Sequence, residues 1–394
     1  MAVMTTDVLV VGGGLIGCAT AYYLAKRGVG VTVAERREAP GRETTARSGA
    51  IIRAHYGVPE LVTLAWEANQ RYARFADEVG KPCGFVRCGY SVLVDKDDAE
   101  TLRLNVCMHQ ALGVHVSLIP PDHLGARIPW LKLDDVALVA WEPKAGYASP
   151  AMTVAAYAAQ AQELGAKFLF DSSVTAAERE GEAWRVTLSS GDVVSASRVV
   201  VCTGNWSRPV GALFGLELPV TPVRAQITVL ERPEECREPM PVVSDLIHLA
   251  YYRQEENGGM WAGSSDMADL AERLPMPENY REEADPCAIE AARRKAALRF
   301  DSMTNVDVRR AFCGLYETTP DWQPIIDTFD STLHAAVGFS GHGFKLAPVV
   351  GDAMAARALG EAPPFDTSLF TLSRFAAERP IKSRYTYRKA RFLR

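Results

Sequence analysis

The chain has 394 residues and a formal net charge of −5 at pH 7, and 48% of its residues are hydrophobic. A chain of this length can bury a large core and is expected to divide into about two domains. The acidic balance argues against a nucleic-acid partner, because nucleic acids bind basic surfaces. The eight cysteines are irregularly spaced and match neither a disulfide framework nor a zinc pattern. We therefore predict no metal site, no nucleic-acid partner and a location in the reducing cytoplasm.

The first 35 residues carry the pattern of a dinucleotide-binding unit. Residues 7–11 are typical of a buried parallel strand, and residues 15–27 have helical composition. Gly12, Gly14 and Gly17 fit the spacing G-x-G-x-x-G, in which the glycines turn the chain, admit a pyrophosphate and let helix and strand touch. A second strand, residues 31–34, is followed by Glu35, whose carboxylate can accept both hydroxyls of an adenosine ribose. This pattern alone does not distinguish FAD from NAD.

Two later segments favour FAD. Residues 41–56 read GRETTARSGAIIRAHY, a stretch rich in small and hydroxyl side chains with three arginines, which suits either an anionic ligand or a solvated loop. Residues 333–337 are strand-like and are followed by GFSGHGFK, residues 338–345, and then by a predicted helix over residues 346–359. Three glycines at the start of a helix offer backbone N–H donors to an anionic or electron-rich group.

The motif GFSGHGFK resembles the C-terminal flavin motif of the D-amino acid oxidase, glycine oxidase and sarcosine oxidase superfamily, and the similarity covers nearly the whole chain. The resemblance implies an α/β fold (α+β overall). It would have a Rossmann-like FAD-binding domain of the glutathione-reductase type and an antiparallel-sheet substrate domain. Residues 1–80, 146–215 and 320–394 would form the FAD-binding domain, and residues 81–145 and 216–319 the substrate-binding capping domain.

The resemblance also implies a set of cofactor contacts. The residues expected to bind FAD are Gly12, Gly14, Leu15, Ile16, Gly17, Glu35, Arg36, Thr45, Arg47, Ser48, Gly49, Val174, Thr203, Gly204, Trp206, Gly314, Gly338, Gly341, His342, Gly343, Phe344 and Lys345. Monomeric sarcosine oxidase tethers its flavin through a cysteine, and Gly314 stands at that position here. Cys313 is one residue away and would point to the opposite face of a strand, so we expect non-covalent FAD.

The candidate catalytic residues follow from the same resemblance. Arg53 and Lys345 match the pair that holds the substrate carboxylate in monomeric sarcosine oxidase, and an arginine fork with a lysine point charge suits one carboxylate. Tyr316 stands where glycine oxidase has its carboxylate-binding arginine. His342 is expected to orient the substrate or the flavin edge rather than act as a base. Tyr252 and Trp261 complete the candidate set.

The predicted reaction is hydride transfer to flavin N5 from the C–N carbon of a small amino acid or N-alkyl amino acid, which gives an imine that hydrolyses. The electron acceptor is oxygen or a quinone-type acceptor. Trp261 occupies the position of the oxygen-activating lysine in monomeric sarcosine oxidase, which favours a dehydrogenase. An NAD-dependent dehydrogenase and a flavin subunit of a larger complex are the alternatives.

The basic tail, residues 379–394, suits either docking to a protein partner or a disordered, solvated tail.

Overall fold

The computed structural model describes residues 3–255 and 257–389. The strands are β1 (Val3–Val11), β2 (Val31–Ala34), β3 (Ile51–Ile52), β4 (Tyr90–Val94), β5 (Ser117–Ile119), β6 (Leu138–Glu142), β7 (Gly146–Tyr147), β8 (Lys167–Leu169), β9 (Val174–Glu180), β10 (Ala183–Leu188), β11 (Val193–Val201), β12 (Thr221–Glu231), β13 (Val242–Asp245), β14 (Ala250–Gln254), β15 (Gly259–Ser264), β16 (Val308–Thr318), β17 (Ile325–Asp330) and β18 (Leu333–Val337). The α-helices are α1 (Leu15–Lys26), α2 (Pro59–Ala73), α3 (Phe75–Val79), α4 (Ala99–Ala111), α5 (Pro121–Gly125), α6 (Pro150–Glu163), α7 (Ser207–Leu213), α8 (Pro286–Arg299), α9 (Gly343–Ala358) and α10 (Ser373–Ala376).

The first sheet has the order β17-β18-β11-β1-β2-β8, and the hairpin of β9 and β10 extends it beside β11. All neighbours from β18 to β8 run parallel, whereas β17 pairs antiparallel with β18. Val8, Leu9 and Val10 of the central strand are fully buried, as expected for a parallel strand covered on both faces. Because parallel strands end at one edge, the segments after β1, β2, β11 and β18 lie together there. This confirms the predicted α/β class.

The second sheet has the order β16-β12-β15-β14-β13-β4-β6-β5. Its pairs are antiparallel, as predicted for the substrate domain, except that β13 runs parallel to β4. Strands β4 and β13 belong to two separate stretches of chain, so no hairpin forces them to be antiparallel. The sheet is therefore mixed at one pair.

The two sheets draw their strands from different parts of the chain. Strands of the first sheet lie within residues 1–80, 146–215 and 320–394, and strands of the second lie within residues 81–145 and 216–319. The limits of the domains themselves stay a prediction. Among the described residues, no helix combines the length and apolar character needed to cross a membrane. The cytoplasmic location likewise stays a prediction.

Helix α9 begins at Gly343, three residues before the predicted start, and contains Pro348. Proline has no N–H, so the carbonyl of Phe344, four residues earlier, loses its helical donor. The Tyr72 hydroxyl of α2 donates to that carbonyl at 2.7 Å and replaces the missing bond. A side chain from a neighbouring helix thus stabilises the early start of α9, which brings Gly343, Phe344 and Lys345 into its first turn.

The basic tail packs on its own chain as far as it is described. Arg384 N–H donates to the Gly57 carbonyl at 2.7 Å, and Arg388 N–H donates to the Asp98 carboxylate at 3.0 Å. Tyr387 is buried. Residues 381–389 are therefore anchored to the fold at these points, although about half of their side chains are exposed. Residues 390–394 lie outside the described residues, and a protein partner for the tail stays a prediction.

Asp321 holds the start of this tail in place. Its carboxylate accepts from Arg374 at 2.8 and 3.0 Å and from Ile381 N–H at 3.0 Å, and both charged side chains are buried. Asp321→Asn leaves the Arg374 charge buried without a partner. We expect the free energy of unfolding to fall by about 3–5 kcal/mol, measured by urea denaturation. Glu361→Gln, which removes an exposed partner of Arg27, is the control and should cost below about 1 kcal/mol. Equal effects of the two variants would contradict the assignment.

Candidate active site

A cavity of about 550 Å³ runs from the carboxyl edge of the first sheet to the face of the second. Residues from both sheets and from residues 41–56 line it. The predicted cofactor contacts that line the cavity are Gly12, Gly14, Leu15, Ile16, Glu35, Arg36, Thr45, Arg47, Ser48, Gly49, Val174, Thr203, Gly204, Trp206, Gly314, Gly341, His342, Gly343, Phe344 and Lys345. Of the predicted catalytic residues, Arg53, Tyr316, His342 and Lys345 line it as well. Most of the predicted residues are thus brought together in one cavity.

The three glycines of the first loop have three different surroundings. Gly12 has φ +104°, and a Cβ there would lie 2.4 Å from the Cys202 carbonyl oxygen. A Cβ at Gly17 would lie 1.9 Å from the Gly12 carbonyl oxygen, so Gly17 serves the contact of helix and strand and does not line the cavity. At Gly14, a Cβ would meet only Thr45 Oγ1, at 3.8 Å, among the described residues. The chain therefore leaves open space where a pyrophosphate would approach the start of α1.

Glu35 lies beside this loop with its side chain buried. Its carboxylate accepts from the backbone N–H of Gly13 at 2.6 Å and from that of Arg37 at 2.8 Å. Burial raises the pKa of Glu35, while these two N–H donors favour the ionised form. A carboxylate offers about four acceptor sites, so sites remain for the hydroxyls of a ribose.

Arg36 and Trp206 form the wall next to Glu35. The Arg36 guanidinium lies 4.1 Å from the centre of the Trp206 ring, a cation–π contact. The Trp206 indole N–H donates to Glu278, which also lines the cavity. This end of the cavity therefore combines a planar wall with the ribose acceptor, which suits a nucleotide.

The other end of the cavity carries two buried cations. Arg53 is 7% exposed and Lys345 is 5% exposed, and the two lie 4.3 and 5.7 Å from the centre of the Tyr56 ring. Within the described residues, neither lies within ion-pair distance of a carboxylate. Burial, together with the charge of Arg53, lowers the pKa of Lys345 well below its usual range. We call Arg53 and Lys345 the substrate clamp.

The hydroxyls beside the substrate clamp come from Tyr316 and Tyr251. Their side chains share a hydrogen bond, and burial raises the pKa of both phenols. Tyr252, a predicted catalytic residue, does not line the cavity, and its ring contacts Phe300 at 4.9 Å on the other face of β14. Side chains alternate along a strand, so adjacent tyrosines face opposite sides.

His342 is enclosed next to the substrate clamp. Its Nδ1 lies 3.2 Å from the Tyr56 hydroxyl, and the two rings meet edge to face. Burial and the nearby charges of Lys345 and Arg53 lower the pKa of His342 well below its usual range. The imidazole is therefore neutral at physiological pH, which suits an orienting residue.

Two further predicted residues stand apart from the cavity. Trp261 shares the face of Tyr251 but does not line the cavity, and its indole nitrogen lies 3.8 Å from the position of a Cβ on Gly49. Gly338 does not line it either, because its N–H donates to Glu317 at 3.3 Å. Trp261 thus lies behind Gly49, which lines the cavity, whereas Gly338 is bonded to Glu317.

The sequence reasoning missed Glu317. This carboxyl lines the cavity, and burial raises its pKa to about 7. No motif spacing singled it out, since it lies between Tyr316 and residues 318–327, TTPDWQPIID.

Among the eight cysteines, all within the described residues, Cys202 is the one that lines the cavity, and burial raises the pKa of its thiol to about 12. Non-covalent binding of FAD stays a prediction.

The cavity thus joins a nucleotide-binding loop to a cationic pocket. The comparison with known proteins agrees with a cofactor-binding site of this kind. The model of the FAD dependent oxidoreductase family matches residues 7–357. The chain belongs to this family. It is an FAD-dependent oxidoreductase, and FAD is its cofactor; the ribose acceptor and the open space at Gly14 fit this group.

Individual relatives cover nearly the whole chain. N-methyl-L-tryptophan oxidase of Salmonella newport is 28% identical and is matched over 95% of this chain and 100% of its own. Human mitochondrial dimethylglycine dehydrogenase is 27% identical over 98% of this chain, which spans only 46% of that relative. The crystal structure of L-proline dehydrogenase from P. horikoshii has a TM-score of 0.88 and 26% identity, and the match covers 96% of this chain and 100% of that one.

Replacing Glu35 tests the nucleotide end of the cavity. Glu35→Ala removes a charged acceptor of hydrogen bonds, which is worth about 1.5–3 kcal/mol. We expect the affinity for FAD to fall by about 10- to 150-fold, measured by fluorescence titration of the FAD-free protein. Glu38→Ala is the control, because Glu38 lies three residues further on and pairs at the surface with Arg42. An unchanged FAD affinity in Glu35→Ala would refute the role of this carboxylate.

Proposed function

We propose that this enzyme oxidises the C–N bond of a small amino acid or N-alkyl amino acid whose carboxylate lies between Arg53 and Lys345. The observation that carries the proposal is the burial of two basic side chains at the cavity with no carboxylate in ion-pair distance among the described residues. A buried charge is costly unless it is paired. A substrate carboxylate supplies the missing partner for both.

The substrate clamp is suited to one carboxylate. The Arg53 guanidinium offers a planar fork of donors and also donates to the His55 carbonyl, which fixes its direction. Lys345 adds a single charged donor. Because its pKa is lowered, an incoming carboxylate also favours the charged form of Lys345. Binding is therefore coupled to uptake of a proton at Nζ.

The remaining residues around the substrate clamp position the amine. His342 is neutral, and Tyr316 and Tyr251 stay protonated, so each can donate or accept a hydrogen bond but none carries charge at neutral pH. Such surroundings favour an uncharged amine, the form with a free nitrogen lone pair. When bound, FAD supplies the acceptor for the hydride, and the oxidised product is an imine that water hydrolyses. The chain contributes orientation rather than a strong base.

The names of three relatives support this substrate class. Dimethylglycine, N-methyl-L-tryptophan and L-proline, printed in the names of dehydrogenases or oxidases, each combine a carboxylate with a nitrogen that bears an additional carbon. This common chemistry favours an N-substituted amino acid over a primary one.

The substrate clamp is tested by separating binding from turnover. Arg53→Ala removes the fork, and we expect KM for a carboxylate substrate such as sarcosine to rise about 100-fold or more, while the flavin absorbance is unchanged. Arg42→Ala, an exposed arginine at the cavity, is the matched control and should leave KM within about twofold. Turnover of dimethylamine, which lacks the carboxylate, should be weak in the wild type and unaffected by either change. If Arg53→Ala oxidises sarcosine with normal KM, the carboxylate is bound elsewhere.

We further propose that the electrons pass to a quinone-type acceptor in preference to oxygen. Trp261 has an N–H donor but no charge to stabilise developing superoxide. Stopped-flow mixing of the substrate-reduced enzyme should show slower reoxidation by oxygen than by a quinone at matched concentration. Trp261→Lys should accelerate the oxygen reaction, whereas the neutral change Trp261→Met should not. Faster reaction of the wild type with oxygen would make the enzyme an oxidase.

A further inference from the structure

A second cluster of polar side chains lies outside the cavity, on three elements. His55 follows β3, His109 lies in α4 and Glu142 ends β6. Their exposed fractions are 1%, 0% and 4%. One ligand atom of each residue lies within 4.8 Å of the ligand atoms of the other two. Three atoms matter here: Nδ1 of His55, Nδ1 of His109 and Oε1 of Glu142. None of these three atoms has a hydrogen-bond partner within the described residues, which is costly for buried polar atoms.

The opposite atom of each side chain is already engaged. His109 Nε2 lies 2.7 Å from the Tyr56 carbonyl, to which only an N–H can donate, so its Nδ1 carries a lone pair. His55 Nε2 lies 2.7 Å from the Tyr387 hydroxyl, and Glu142 Oε2 accepts from Ala54 N–H at 2.9 Å. Metal-binding histidines are usually fixed in this way, by a hydrogen bond from the ring nitrogen that does not bind the metal.

A direct contact within the cluster does not satisfy these atoms. His55 Nδ1 and Glu142 Oε1 are 3.8 Å apart, beyond hydrogen-bond distance. His109 Nδ1 offers a lone pair, and His55 Nδ1 offers one in the tautomer whose Nε2–H donates to the Tyr387 hydroxyl. Together with the Glu142 carboxylate, these two nitrogens can hold a cation.

We propose that His55, His109 and Glu142 bind a divalent transition metal of the Zn²⁺ class. Two imidazole nitrogens and one carboxylate oxygen are a donor set that Zn²⁺ takes, with water as the fourth ligand. Mg²⁺ and Ca²⁺ prefer oxygen ligands alone. The neighbouring Arg53 has the same sign of charge as the ion, so affinity must come from the imidazole donors, which again favours Zn²⁺.

The ion would have a structural role. Glu142 accepts from the Ala54 N–H, and His109 donates to the Tyr56 carbonyl. Both backbone groups belong to the segment that presents Arg53. The cluster also reaches the tail through Tyr387. A metal here would tie that segment to α4, β6 and the tail, so that metal binding stabilises the folded chain.

The site is tested by zinc retention in the FAD-loaded enzyme. Protein produced with added zinc and passed through gel filtration with EDTA should retain about one Zn²⁺ per chain, because the three protein ligands are buried and EDTA reaches the ion slowly. Glu142→Gln keeps the size and the acceptor for Ala54 N–H but removes the charge, and it should retain below about a tenth of that amount. His115→Gln, which changes an exposed histidine, is the control and should retain zinc as the wild type does.

X-ray absorption at the zinc edge of the wild type decides the question even if a variant fails to fold. We expect nitrogen and oxygen ligands at about 2.0–2.2 Å. Sulfur ligands at about 2.3 Å would mean that cysteines bind the ion and would overturn the proposal. Zinc retention no greater in the wild type than in folded Glu142→Gln would overturn it as well.

Discussion

The basic side chains of Arg53 and Lys345 are both buried at the cavity, and its chemistry depends on how their charge is balanced. Lys345 also lies in the first turn of α9, where the helix dipole is unfavourable for a cation. Burial, a like charge and the dipole all act in the same direction on its ammonium group. In the proposed complex, a substrate carboxylate would offset these costs.

The surrounding architecture keeps this charge in place, with no carboxylate in ion-pair distance among the described residues. Tyr72 satisfies the carbonyl that Pro348 leaves without a donor, and α9 can therefore start early enough to present Lys345. Glu142, the carboxylate whose charge acts on Arg53, is held by Ala54 N–H and faces the histidine cluster. His342 and Tyr56 bond to one another and remain neutral. The polar residues near the substrate clamp are thus bonded to the backbone or to one another, and a ligand is left to pair with the charge of the clamp.

The sequence predicted the features that short-range geometry determines. The loop glycines and Glu35 could be placed because a strand, a turn and a helix fix their relative positions within a few residues. The substrate clamp followed from the resemblance of two motifs, and its residues do meet in the cavity. Packing against distant side chains was not predictable, which explains why Gly338 contacts Glu317 rather than the cavity.

Features that depend on strand register or on contacts between distant parts of the chain could not be predicted from the sequence. Tyr252 was predicted, whereas Tyr251 lines the cavity, because composition does not show which face of a strand meets a ligand. The parallel pairing of β13 with β4 joins two separate stretches of chain. His55, His109 and Glu142 come from a loop, a helix and a strand, without the regular spacing of known metal motifs.

Calorimetric titration of the FAD-loaded enzyme with acetate and with acetamide tests the role of the substrate clamp most directly. The two ligands share a shape but differ in charge. Acetate should bind with uptake of a proton, measured in buffers of different ionisation enthalpy, because the anion restores the lowered pKa of Lys345. Its affinity should then fall as the pH rises, and acetamide should bind far more weakly. Equal affinities for the two ligands, or acetate binding without proton uptake, would contradict the account.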